Sequence, residues 1–253
     1  MPDTAPAGVA PAPPALSALL RLGTRDRRPE MMDQPGLDPA DHAAALKGLE
    51  RLNRVSRTAA TLWPHLKRLA RGLPPGRPLQ VLDAATGGGD VPILLARWVA
   101  RAGLPVEFAG CDISPSALAY AGRQAAAAGV PVRFFRHDIL AGPPAGPFDV
   151  VTCNLFLHHL ADADAVTLLA HLAAAGRAVL VNDLARGPLS YAIVWAGTRL
   201  LSRSPIVRTD GPLSVQAAFT PAEAVAVAER AGLSGAAVTR KHPCRFLLAW
   251  ERG

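Results

Sequence analysis

Apolar and polar residues along this chain follow two periods, and the switch between them marks its elements. Short apolar or β-branched runs enter Asp83 and occupy 106–112, 132–138, 148–154 and 177–183, ending on Asp83, Asp112, Asp138, Asn154 and Asp183. Between them a helical period covers 91–102 and 114–128, the second opening with Ser114 as N-cap and Pro115 as first helical residue. Thr220-Pro221-Ala222-Glu223 predicts a capping box for a last helix ending near Gly232, and 235–240 with 245–250 a terminal strand pair. Strand and helix alternate, so the expected fold is α/β with a doubly wound, mostly parallel sheet.

Two segments fall outside that alternation. Ahead of it, Asp38 and Pro39 start a helix carrying Leu46, Leu49, Leu52 and Val55, and a second helix carries Leu62, Leu66 and Leu69 before the linker Leu73-Pro74-Pro75-Gly76. The second segment, 184–219, is too long for an ordinary connection. Within it 189–197 is apolar on every helical face and too short to cross a bilayer, which takes about 20 residues. It is either a core helix or the wall of a pocket for a hydrophobic acceptor, with peripheral membrane contact through its arginines as a further option. The expected division is a Pro/Ala-rich disordered tail over 1–30, most evident in its first sixteen residues, N-terminal helices as a lid over 31–76, and a main domain over 77–253 with 184–219 as a substrate-side insertion.

Composition narrows the function. A length of 253 residues supports a sizeable core. The net charge of +7 could advertise nucleic acid, but the basic residues are scattered and aromatic residues make up only 5%, so base stacking is not expected. The three cysteines lack metal or redox spacing, and no basic stretch precedes an apolar run at the start; both point to a cytoplasmic setting.

The chemistry gathers around Val81-Leu82-Asp83-Ala84-Ala85-Thr86-Gly87-Gly88-Gly89-Asp90, a strand joined to a helix through a glycine turn. Glycines there admit positive φ and a close ligand, and the next helix offers unpaired N–H groups. Ligands of open α/β sheets lie beyond the strand ends at the topological switch point, which brings Asp83, Asp112, Asp138 and Asn154 to one crevice. Pro92 stands where a dinucleotide fingerprint needs its third glycine. The series Asp83-x-Ala85-x-Gly87-x-Gly89 instead resembles the first motif of class I S-adenosylmethionine-dependent methyltransferases of the small-molecule type, with Ala85 in place of the first glycine.

That resemblance spans about 79–250 and implies a seven-stranded Rossmann-like sheet with an antiparallel strand beside the fifth, an EC 2.1.1 activity, and S-adenosylmethionine as cofactor. It places Asp83 near the methionine ammonium, Ala85, Thr86, Gly87 and Gly89 around the cofactor, Asp112 and Ile113 at the ribose, Asp138 and Ile139 at the adenine, and Asn154 and Leu155 toward the methyl group. Base methyltransferases carry an Asn/Asp-Pro-Pro-aromatic motif after the fourth strand, and this chain has Asn154-Leu155-Phe156-Leu157. The stretches 30–35 and 210–215 are similar to methyltransferases found with bacterial type III polyketide synthases, and the chain also resembles the quinone-biosynthesis group.

The expected reaction is methylation of a hydrophobic aromatic or polyketide-like molecule, at oxygen first. Carbon methylation of a quinone precursor and a catalytically silent cofactor-binding module are the alternatives. An oxygen acceptor benefits from a general base, and His158, His159 and Asp183 are the candidates, with Arg208, Thr209 and Asp210 behind them; no metal is expected. Leu189 to Leu201 and the first helices should roof the methyl end, with Tyr191 and Trp195 against the acceptor.

Overall fold

The computed structural model describes residues 21–33 and 38–253. Its centre is a seven-stranded sheet in the order β3-β2-β1-β4-β5-β7-β6. The strands are β1 (Leu79–Ala84), β2 (Val106–Asp112), β3 (Val132–Arg136), β4 (Val150–Asn154), β5 (Ala178–Leu184), β6 (Ala237–Lys241) and β7 (Arg245–Glu251). The first five run parallel, and β7 inserts antiparallel between β5 and β6, with Leu184 opposite Arg245. This is the expected doubly wound sheet. Its direction of winding reverses between β1 and β4, where a crevice opens at the strand ends.

Period-two alternation explains why both faces are dry. Leu79 and Val81 face α2 (Thr58–Arg71) and α3 (Asp90–Arg101) together with Leu180 and Leu247, whereas Leu82, Val179, Val181, Phe246 and Leu248 face α5 (Asp162–Ala175) and α8 (Pro221–Arg230). α4 (Pro115–Ala128) is capped by Ser114, whose hydroxyl accepts from Ala117 N, and α8 starts with the full capping box of Thr220 and Glu223.

Three helices close the strand-end crevice. These are α1 (Pro39–Val55), capped by Asp38, and the pair α6 (Pro188–Leu201) and α7 (Pro205–Ala217) that fills the long segment after β5. Ala45 on α1 packs against Ile206 and Val207 on α7. Of the two N-terminal helices expected as a roof, α1 takes that place, and α2 meets the cavity only at its first residues, Thr58 and Ala59. Leu62 and Leu66 of α2 are fully buried against Leu79 and Leu95, so that helix covers the sheet instead. Nor is α6 buried all round, since Leu189 and Leu200 are 70% and 83% exposed.

Residues 1–20 of the expected tail lie outside the described residues, as do 34–37. The remainder, 21–30, runs as an ordered strap. Arg25 reaches the carbonyls of Ala217 and Leu160, pairs with Asp162 and stacks over Phe219 at 3.5 Å. Arg186 is nearly fully buried, donates to the carbonyls of Leu22 and Ala218, and forks onto Glu223 at 2.6 and 2.8 Å. A disordered assignment fails there because these arginines hold the strap through contacts with residues far along the chain, which no local composition signals.

Candidate active site

The strand ends and the roof enclose a cavity of about 960 Å³. Asp83, Ala85, Thr86, Gly87, Asp112, Ile113, Asp138, Ile139, Asn154, Leu155, His158 and His159 all border it. Two expected residues do not. Gly89 is the N-cap of α3 with φ 72, packed where an added Cβ would come within 2.8 Å of Phe134 and 2.9 Å of Ala121, and Asp183 stands behind His158.

The turn after β1 is built around two carboxylates. Asp83 is buried and accepts from Thr86 Oγ1 and Thr152 Oγ1, each at 2.7 Å, and from Asn154 Nδ2 at 2.9 Å. Burial outweighs these bonds and pushes its pKa up to about 6. Asp112 accepts from Gly87 N at 2.8 Å through one oxygen and from Ser114 N at 2.9 Å through the other. Each of its oxygens keeps a further lone pair beside the cavity. Ala85 sits at φ 51, a left-handed conformation where glycine would be unstrained, and Leu155 does the same after β4 at φ 54. Asp138 is exposed and accepts from Leu140 N, while Ile139 is buried and its carbonyl meets His171 Nδ1 at 2.7 Å.

Beyond β4 lies a second polar group. His158 is buried, its Nδ1 2.6 Å from Asp183 Oδ1 and its Nε2 3.8 Å from Glu30 Oε1. Burial alone would raise the Asp183 carboxyl, but the neighbouring His158, with its hydrogen bond, holds it below the usual range. His159 is half-buried, its ring 4.3 Å from that of His158 and its Nδ1 4.0 Å from Glu30. Ligand-type atoms of Glu30, His158 and His159 lie within 4.8 Å of one another, a spacing that could hold a cation.

Sequence reasoning missed Glu30, placing it in the disordered tail. Its carboxylate accepts from Ser214 Oγ at 2.7 Å, while Met31 N and Met32 N donate to Asp210. The stretches 30–35 and 210–215, singled out separately in the sequence, thus meet through their described residues. Asp210 serves that junction, and Arg208 donates to the carbonyls of Ser202 and Arg199, so both tie the roof together; Thr209 is exposed. The expectation for Tyr191 and Trp195 also changes. α6 lines the cavity with Ile193, Val194, Gly197, Thr198 and Leu201. Tyr191 is buried with Leu22 and Val215, and Trp195 lies under Arg199 at 4.1 Å on another face.

Residues 81–178 match the family model described as a methyltransferase domain, across β1 to the start of β5 and the turns that carry the two carboxylates. The segment is a class I methyltransferase domain. Curated relatives agree: a demethylmenaquinone methyltransferase of Thermus thermophilus is 39% identical over 108 residues, covering 42% of this chain and 47% of that protein. A ubiquinone biosynthesis O-methyltransferase of Bordetella parapertussis is 33% identical over 157 residues, 61% of each. The chain therefore spans roughly half to three fifths of the curated relatives it matches. Among solved structures, the S-adenosylmethionine-dependent methyltransferase SibL aligns with a TM-score of 0.61 at 20% identity, covering 94% of this chain and 68% of that one. A putative O-methyltransferase from Nostoc punctiforme aligns at 0.60 and 20%, covering 94% and 67%. At that identity they establish the fold of the methyltransferase domain. Among the described residues no helix is long and apolar enough to cross a membrane.

Proposed function

We propose that the chain transfers the methyl group of S-adenosylmethionine to an oxygen of a hydrophobic aromatic small molecule, with His158 as general base. The observation that carries this reading is the His158–Asp183 pair, 2.6 Å apart and buried, at the roofed end of the cavity. The residues present fit the cofactor. Gly87 has φ 53 and nothing within 4 Å of the place a Cβ would take, so the turn offers open space beside Asp112. Asp112 with Ile113 would hold the ribose hydroxyls, Asp138 and Ile139 the adenine, Asp83 the ammonium, and Ala85, Thr86, Gly87, Asn154 and Leu155 the surrounding wall. Gly89 would act indirectly, by setting where α3 begins. The bound cofactor supplies an electrophilic methyl carbon on a sulfonium.

Everything else falls to the chain's own groups. Asp183 accepts the Nδ1 proton of His158, which leaves Nε2 as the acceptor facing the cavity. Nε2 would take the hydroxyl proton of the acceptor, while the cofactor, held by Asp83, Asp112 and their neighbours, would supply the methyl carbon and keep its sulfur as a neutral thioether. Glu30, 3.8 Å from Nε2, stabilises the resulting imidazolium. His159, with Leu46, Leu49, Val194 and Leu201, walls the site and excludes water.

Carbon methylation of a quinone precursor is the second reading, and the likeness to the protein named for demethylmenaquinone supports it. The deciding experiment incubates the protein with labelled cofactor and a panel of phenols, quinols and alkylresorcinols. Phenol turnover should fall by about 10²-fold or more in His158→Ala, with cofactor affinity near wild type. Asp112→Ala should instead weaken cofactor binding by roughly 1.5–3 kcal/mol in calorimetry. Retained phenol turnover in His158→Ala would exclude the base, and tight cofactor binding with every acceptor inert would favour a silent binding module.

A further inference from the structure

One cluster on the cavity wall has more coordinating capacity than the proton transfer above uses. Glu30, His158 and His159 all border the cavity, and one ligand atom from each lies within 4.8 Å of the others. Oε1 of Glu30 stands 3.8 Å from His158 Nε2 and 4.0 Å from His159 Nδ1. At 3.8 Å the contact with His158 is too long for a hydrogen bond, and Nε2 makes none among the described residues although that side chain is only 4% exposed. A polar atom left so in a buried ring calls for a partner. The other ring nitrogen is already fixed, because Nδ1 lies 2.6 Å from the buried carboxylate of Asp183. A carboxylate behind the ring sets the tautomer that presents the Nε2 lone pair, the arrangement that recurs behind metal-bound histidines. Glu30 is held from behind as well, since Ser214 Oγ donates to its Oε1 at 2.7 Å, and the carboxylate keeps further lone pairs.

We infer that Glu30, His158 and His159 form a binding site for a divalent transition-metal ion of the zinc class, and that an ion held there blocks methyl transfer. The donor set decides the class. Two imidazoles and one carboxylate suit zinc and its first-row neighbours, whereas calcium and magnesium prefer oxygen ligands throughout. Bonds of about 2.0–2.2 Å put the ligands of a tetrahedral zinc ion roughly 3.3–3.5 Å apart, so Glu30 has to close on each ring by only about half an ångström. Three protein ligands leave a fourth position for water, and the cavity that all three residues border gives that water and the ion a way in. The site stands independently of the methyl-transfer reading, while the block rests on it. An ion on Nε2 takes the lone pair that would receive the acceptor's proton. It also claims Glu30, the carboxylate 3.8 Å away that would stabilise the imidazolium. Asp183 serves either state unchanged, because it holds the Nδ1 proton whether Nε2 carries a proton or a metal.

Calorimetry with zinc chloride on the chelator-treated full chain tests the site. Wild type should bind the ion, magnesium chloride should give no binding heat at the same concentration, and cobalt(II) chloride should develop the visible absorption of a four-coordinate ion. His159→Ala and Glu30→Gln should each weaken zinc binding by ~10-fold or more. If one variant fails to fold, the other and the cobalt spectrum of wild type decide. A wild type that binds no zinc, or takes magnesium equally well, overturns the inference. So does zinc affinity unchanged in both variants, because the ion then sits on other histidines or on the cysteines. Phenol methylation followed through the same titration should fall in step with zinc occupancy and return when EDTA strips the ion. Turnover unchanged or raised at full occupancy overturns the block. A chain that binds zinc through these residues yet methylates no phenol when metal-free fells the methyl-transfer reading and the block with it, while the variants' loss of zinc affinity upholds the site.

Discussion

Asp83 shows how one side chain links stability to the site. Its carboxyl keeps its proton up to about pH 6 in the folded chain because burial outweighs the hydrogen bonds from Thr152, Thr86 and Asn154, whereas an unfolded aspartate loses it near 3.8. Between about pH 4 and 6 the folded state therefore binds more protons than the unfolded one, and linkage makes stability fall as pH rises through that window. The two-unit shift corresponds to up to about 3 kcal/mol from this group. Urea unfolding of wild type and Asp83→Asn at pH 4, 5 and 6 should show the wild type losing ground steadily against the variant. Parallel curves would mean the carboxyl titrates normally. The sequence singled out Asp83 through its place before the glycine turn, but not its environment, since Thr152 and Asn154 arrive from β4 about seventy residues later.

At the scale of elements, the roof depends on how closely α6 and α7 approach. Gly211 lies in α7, and a Cβ there would stand 2.5 Å from Thr198 Cγ2 and 3.2 Å from Val194 Cγ1, both on α6. Val194 and Thr198 also line the cavity, so this contact sets its wall. Gly211→Ala should overpack the pair, costing about 1–3 kcal/mol in unfolding free energy and raising the Michaelis constant for a hydrophobic acceptor more than it changes cofactor affinity. An unchanged melting curve together with unchanged kinetics would show that the helices have room to part. Strands and helices were legible from their periods, and the capping residues Asp38, Ser114 and Thr220 were legible from residue type. The direction in which α6 points its aromatic residues was not. Apolar residues over 189–197 leave no clear polar stripe to orient the helix from the sequence, so Trp195 was misplaced against the acceptor and lies under Arg199 instead.

For the whole molecule, the strap is the unexpected part. Residues 21–33 run from Leu22, under Arg186, past Arg25 on the carbonyls of His158, Leu160 and Ala217, to Glu30 beside the histidines. Cutting it away removes both an anchor and a site residue. A chain lacking residues 1–33 should keep cofactor affinity within a few-fold, lose most of its turnover, and unfold about 2–5 kcal/mol more easily, which at roughly 2–4 °C per kcal/mol lowers its Tm by ~4–20 °C. Calorimetric melting and cofactor titration check this. A truncated chain with unaltered Tm and turnover would show that the strap only decorates the surface.

What the amino-acid order determined alone is whatever depends on neighbours along the chain. Periodicity set the alternating elements and the doubly wound sheet, and the spacing from Asp83 to Gly89 marked the turn beneath the cavity. Tertiary structure decided the rest, because hydrogen bonds and charges are satisfied in space. Asp183 finds His158 across 25 residues, Glu30 finds Ser214 across 184, and Arg245 finds Asn53 across 192. A glutamate in a proline-flanked segment reads as a solvated residue until the fold buries it, and burial is what turns its charge into chemistry.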